Sequence, residues 1–182
     1  MLTPTVDHHH RTRPAELGRV LPSLPALSAD VLGLIGFLAL AAIPLVLCLT
    51  IAGPQHSSWY EGLDKPALAP PLWVVRSAWL ALAAAVACGA WLVWRTRGLE
   101  DERHRALVVF GWHLLAGLLW AAVFFGGHAV DLGLLAAAFA WLTSLAVVCT
   151  FGPVHRGAAV LNVPSLLWAT YVAGINAAIL VS

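Results

Sequence analysis

The residues with chemistry to offer are the polar side chains set inside otherwise apolar stretches. His113 stands near the middle of one stretch, with Gly117 and Trp120 four and seven residues on, so the three share a helical face. In another, Asn176 lies eight residues beyond Trp168, and Ser165 one turn before that indole. A neutral imidazole at such depth makes the His113 face a candidate ligand-lining face. The bland alternative for His113 and Asn176 is an interhelical hydrogen bond, worth on average about 0.6 kcal/mol in membranes. Both readings stay open. Of nine tryptophans, Trp79, Trp120, Trp141 and Trp168 fall deep, while Trp91, Trp94 and Trp112 lie near stretch ends, where indoles settle at the interface. Deep indoles in a small bundle suit a flat, apolar ligand held by stacking.

Conventional catalytic sets are missing from the sequence. It has no Ser/His/acid set at matching depth, no paired intramembrane carboxylates, no HExxH, no CxxC and no phosphate-cradling glycine loop. No acid stands in an apolar stretch away from its ends, which disfavours proton-coupled transport. The run His8-His9-His10 is not a closed metal site, and no metal centre is expected. Cys48, Cys88 and Cys149 all fall in apolar segments and read as reduced packing residues.

Composition says what must position these groups. The chain has 182 residues, 60% hydrophobic and 10% charged, against about 25% charged in soluble domains, so the membrane is its solvent. A net charge of +1, with cations scattered through short loops, argues against nucleic acid. Five apolar segments, about 31–52, 72–94, 106–127, 132–151 and 157–181, are near the ~20 residues that cross a bilayer as helix. The expected fold is an all-α membrane protein, a bundle of five transmembrane helices in one domain over 30–182. Residues 1–29 read as a disordered extension that stays attached, since the apolar run after them is too long for a signal core. Asp30 and Asp131 sit where N-caps of the first and fourth spans would be, and Pro44 would kink the first. Arginines concentrate on the side shared by the tail and the 95–105 and 152–156 loops, which places the N-terminus in the cytoplasm. A bacterial cytoplasmic membrane fits this bias best.

The long polar interruption, Trp59 to Trp79, is a shaped loop feeding a helix. Pro66, Pro70 and Pro71 fix φ, and the tandem pair suits the first turn of the second span. Trp59, Tyr60, Trp73 and Trp79 bracket the membrane boundary, Arg76 snorkels toward it, and Glu61, Asp64 and Lys65 read as a solvated lid surface. Gly117 with Ala121, and Ala136 with Ala140, are small-residue pairs that would serve as dimer faces.

The pattern WY-x-x-L-x-KP-x-x-x-PP-x-WV-x-x-x-x-W from Trp59 to Trp79 resembles the signature of the TspO/MBR family, the translocator or tryptophan-rich sensory proteins. The likeness continues as W-x-x-x-FFG at Trp120 to Gly126 and P-x-x-L-W at Pro164 to Trp168, followed by Asn176, and covers about 30–182. It implies a five-helix bundle, commonly a homodimer, that binds porphyrin, haem or other flat apolar molecules under the first loop and requires no cofactor. A sensing, regulatory or transport-related role in tetrapyrrole handling follows as an expectation. Trp79 and Trp168 match the tryptophans associated with light-dependent porphyrin breakdown, an alternative enzymatic reading. Tyr60, Pro70, Pro71, Trp73, Trp120, Phe124 and Asn176 match pocket or loop positions. A third reading is a ligand-independent membrane partner of a pigment-synthesis or transport complex. The chain departs from the family at Ala67-Leu68-Ala69, where aromatics are usual, and at His113, Gly117 and Ser165, which replace the usual Gln, Asn and Tyr.

Overall fold

A computed structural model describes residues 24–181. They form helices α1 (Leu24–Ile51), α2 (Pro54–Gly62), α3 (Leu72–Arg95), α4 (Glu100–Ala121, continued by a π turn, Ala122–Gly126), α5 (Val130–Val154) and α6 (Arg156–Val181). All except α2 are long and apolar enough to span a membrane. At 1.5 Å per residue their 24 to 27 residues cover roughly 36–40 Å, enough to reach both interfaces. The chain is an integral multi-pass membrane protein.

Several helices start before the apolar segments that signal them. Helix α1 begins at Leu24, so residues 24–29, expected in the extension, are helical; residues 1–23, including His8-His9-His10, lie outside the described residues. Asp30 is therefore inside a helix and caps nothing. Its carboxylate pairs with Arg95 at 2.9 Å and its carbonyl accepts the Trp91 indole N–H at 2.9 Å, clamping α1 to α3. Asp131 likewise falls in the first turn of α5, whose N-cap is Ala129, and there its charge suits the helix dipole. Of the proline pair, Pro71 is the N-cap of α3 and Pro70 precedes it, so neither occupies the first turn. The extra turns form because a backbone approaching the bilayer satisfies its N–H and C=O groups best by staying helical.

The spans close into a ring: α1 packs on α3 and α4, α3 on α6, α6 on α5, and α5 on α4. Two plugs fill its ends. Phe110, Phe151, Val86, Ala90, Val93, Val147 and Ala158 build one, where α3 and α6 approach so closely that a Cβ on Gly89 would strike the Asn162 amide. Trp120, Phe124, Phe125, Ala121, Ala136 and Ile179 build the other, beneath α2. The expected dimer faces belong to this interior: Ala121 and Ala136 are buried, and Gly117 and Ala140 face the space between the plugs. Any contact between copies would use other, lipid-facing residues.

A lid covers the second plug. It comprises α2 and the 63–71 segment, so part of the expected loop is helix, ended where Lys65 donates to the carbonyls of Tyr60, Glu61 and Leu63. Lys65 also lies 4.7 Å from the Tyr60 ring centroid. This cation thus satisfies carbonyls at the C-terminal end of α2, whose C-cap is Leu63, and is not simply a solvated surface charge. Arg76 performs a similar service for α1, donating to the Ala52 carbonyl at 2.6 Å. Trp59, expected at the membrane boundary, packs inward on Phe124 and stacks on His128 at 4.4 Å. That stack steadies the α4–α5 turn, where His128 adopts φ 52°, a left-handed conformation that side chains other than glycine adopt at some cost.

Candidate functional site

Between the plugs lies a cavity of about 160 Å³ walled by all five spans. Chain order explains its depth: on α4 it spans the two turns from His113 to Trp120, between Phe110 of one plug and Phe124 of the other. Helix α1 supplies Pro44 and Cys48, α3 Trp79 and Ala83, α5 Ala140 and Ser144, and α6 Ser165 and Trp168. Small residues leave the space open, while indoles give it flat walls. A second space of about 20 Å³ sits under the lid, lined by Tyr60, Pro70, Phe124, Tyr171 and Asn176. Trp120, Trp168 and Val172 face both.

Of the residues singled out in the sequence, Trp79, His113, Gly117, Trp120, Ser165 and Trp168 meet at the larger space, and Tyr60, Pro70, Phe124 and Asn176 at the smaller. Pro71 and Trp73 line neither. Trp73 is 69% exposed, because two residues past the cap of α3 its side chain points away from the bundle. Trp141 lies mid-way along α5, as deep as expected, but outside the cavity, where it joins α5 to α6 by donating to Thr170 Oγ1 at 2.8 Å.

Polar atoms in the cavity divide by wall. On α6, Ser165 Oγ and Trp168 Nε1 are buried and hydrogen-bonded to nothing among the described residues. An unmet buried donor costs about 1–3 kcal/mol, which a bound acceptor would recover. On the α4–α5 side, His113 Nδ1 lies 3.4 Å from both Thr143 Oγ1 and Ser144 Oγ. Nearer the lid, the Trp120 N–H donates to Asn176 Oδ1 at 3.4 Å, and the Trp120 ring stacks on Phe124 and meets Trp79 edge-on at 5.8 Å.

The latch of the lid was not evident from sequence. Tyr171 O–H donates to the Leu68 carbonyl at 2.5 Å, and the Tyr171 ring leans on Trp168 at 5.5 Å. A lid segment whose own side chains are Ala67, Leu68 and Ala69 is therefore held through its backbone by a residue one turn from a cavity indole. Tyr60 O–H adds a bond to the Pro70 carbonyl at 3.3 Å. Burial, reinforced by Tyr171 nearby, pushes the Tyr60 phenol up, so it remains a donor at neutral pH. Tyr171→Phe keeps the ring and removes the latch. It is expected to speed ligand entry and release several-fold with little change in melting temperature, as checked by stopped-flow binding and thermal unfolding in detergent.

The profile of the TspO/MBR family matches residues 36–181. The chain belongs to the TspO/MBR family. Among its relatives, a tryptophan-rich sensory protein from Cereibacter sphaeroides is 33% identical over 122 residues, 67% of this chain and 75% of the relative. The tryptophan-rich protein TspO of Chlorobaculum tepidum is 30% identical over 146 residues, 76% of this chain and 92% of its own. The translocator protein of Homo sapiens is 31% identical over 121 residues, 65% of this chain and 70% of the relative. As a TspO/MBR protein, this chain combines the tryptophan-walled interior with a latch from Tyr171 and a His113 cluster on α4 and α5.

Proposed function

We propose that this protein binds a flat, largely apolar ligand of the tetrapyrrole class in the cavity between the plugs, as a membrane sensor or transport-related protein whose N-terminus faces the cytoplasm. The observation that carries the reading is a five-walled apolar cavity bearing Trp79 and Trp168, with two unmet donors on one wall. Family membership and the sensory-protein name of one relative support it. At about 160 Å³ the space is smaller than the roughly 300–1,000 Å³ of pockets for drug-sized ligands, so a macrocycle enters by moving a wall. Helix α1 is the wall most easily moved. Its principal contacts are to α3 and α4, and of its described side chains only Ala41 and Cys48 are buried.

Filling the space tests this directly. Ala140→Phe puts a ring into the cavity, away from the lid, and should weaken protoporphyrin IX binding by at least about tenfold, a change of about 1.4 kcal/mol. Unchanged affinity in a well-folded variant would move the ligand elsewhere. A second reading is favoured by the exposure of Trp79 and Trp168 to one cavity: a photoexcited porphyrin takes an electron from either indole, with dioxygen as the oxidant that completes breakdown. Loss of porphyrin absorbance in light but not in the dark, abolished in Trp168→Phe, would support it. Failure of every porphyrin to bind would instead favour a ligand-independent partner role.

A further inference from the structure

The hydrogen bonds around His113 assign the proton to one of its ring nitrogens. Thr143 Oγ1 donates to the Ala140 carbonyl at 2.9 Å, and Ser144 Oγ donates to the same carbonyl at 3.0 Å. Each hydroxyl has one proton, and both are committed to Ala140. Toward His113 Nδ1, 3.4 Å from each, the hydroxyls therefore have only lone pairs to offer. With the hydroxyl protons given to Ala140, Nδ1 is assigned as the donor, and in the neutral ring Nε2 is then bare. No residue among those described hydrogen-bonds to Nε2, and His113 lines the cavity. Thr143 and Ser144 are 8% and 3% exposed, so water does not readily compete for the Nδ1 proton.

An imidazole whose Nδ1–H is held by buried acceptors, leaving Nε2 bare, is the arrangement that holds a metal ligand in one orientation and tautomer. The remaining lining of the cavity is apolar apart from hydroxyl, thiol and indole groups, with no carboxylate to attract a free hydrated cation. No cluster of three metal-ligating side chains occurs among the described residues. A metal meeting His113 must accordingly bring most of its own ligands, as the iron of a porphyrin does. Across the cavity, the unmet Ser165 hydroxyl and Trp168 indole offer donors to an acceptor on the same molecule or to a small sixth ligand.

We propose that His113 is an axial ligand for the iron of a metallated tetrapyrrole, so that the cavity selects iron porphyrin over the metal-free macrocycle. The inference rests on the tetrapyrrole reading above and narrows it. The Nε2 lone pair forms an Fe–N bond to ferric iron, and the axial water or chloride of haemin leaves. No electron is transferred, and no proton is released because Nε2 carries none. A metal-free porphyrin gains nothing equivalent, since its central N–H groups lie in the ring plane and cannot be met from the axial direction.

The test is a pair of titrations of the detergent-purified full chain, with haemin and with protoporphyrin IX, on wild type, His113→Ala, His113→Gln and His113→Gly, the last with and without added imidazole. Wild type should prefer haemin by at least about tenfold and show the optical and electron-paramagnetic-resonance signature of a nitrogen-ligated ferric haem. In His113→Ala and His113→Gln that signature should vanish and the preference collapse toward one. Imidazole should restore the signature in His113→Gly, which repair of a structural defect would not do. The double variant Thr143→Val with Ser144→Ala keeps the ligand but frees its proton, and should weaken haemin binding about 10- to 100-fold. Both porphyrins binding while wild-type and His113→Ala haem spectra coincide would overturn this inference and leave the tetrapyrrole reading standing. Failure of both porphyrins to bind the wild type would remove both readings.

Discussion

Trp120→Ala should lose both the fold at the lid end and the ligand. Trp120 is 7% exposed, stacks on Phe124 at 5.5 Å, meets Trp79 and Phe125 edge-on at 5.8 and 5.6 Å, and donates to Asn176. It faces both internal spaces, so its removal joins them and strips one plug of its largest ring. Truncating a buried aromatic costs about 3–5 kcal/mol, a large share of the 5–15 kcal/mol by which a typical domain is stable. Early thermal unfolding and loss of protoporphyrin binding are expected together. Trp120→Phe separates packing from the polar contact: it keeps most of the ring, leaves Asn176 Oδ1 without the indole donor, and should cost only about 1–3 kcal/mol. A near-native melting temperature for Trp120→Ala would mean that the plug is not a cohesive element.

The second large effect lies at the far plug. A Cβ at Gly89 would land on the Asn162 amide, with Phe151 Cε2 at 3.2 Å and the Ala158 carbonyl at 3.4 Å. Asn162 cannot swing aside, being 1% exposed with its amide donating to Ala158 at 2.8 Å. Gly89→Val must therefore force α3 and α6 apart. The ordinary cost of overpacking is about 1–3 kcal/mol, and against a buried, hydrogen-bonded side chain the upper end is expected. Gly36 on α1 is a matched control, for a Cβ there meets nothing within 4 Å. Size-exclusion profiles after graded heating should show Gly89→Val failing first and Gly36→Val following wild type.

The contrast between these glycines also marks what a sequence reader could know. Five spans were legible because length and apolar content are local properties, as the helices from Leu72 to Arg95 and Val130 to Val154 illustrate. The face joining His113, Gly117 and Trp120 followed from helical spacing, and all three line the larger cavity. Helix starts were not legible, because polar residues near the interface can remain helical; Asp30 and Asp131 consequently looked like caps. Trp73 matched a loop signature, but nothing in spacing shows that it points outward. Tyr171 was missed because its partner is a backbone carbonyl 103 residues away. The roles of Thr143 and Ser144 depend on one shared carbonyl and on the register of α5 against α4, neither of which periodicity records.

Occupation of the tryptophan-walled cavity is measured most directly by intrinsic fluorescence. Detergent-purified protein titrated with protoporphyrin IX in dim light should show saturable quenching at micromolar ligand or below, weakened in Trp168→Phe. Linear, non-saturating quenching, identical in wild type and variant, would contradict the account and leave the cavity without a porphyrin.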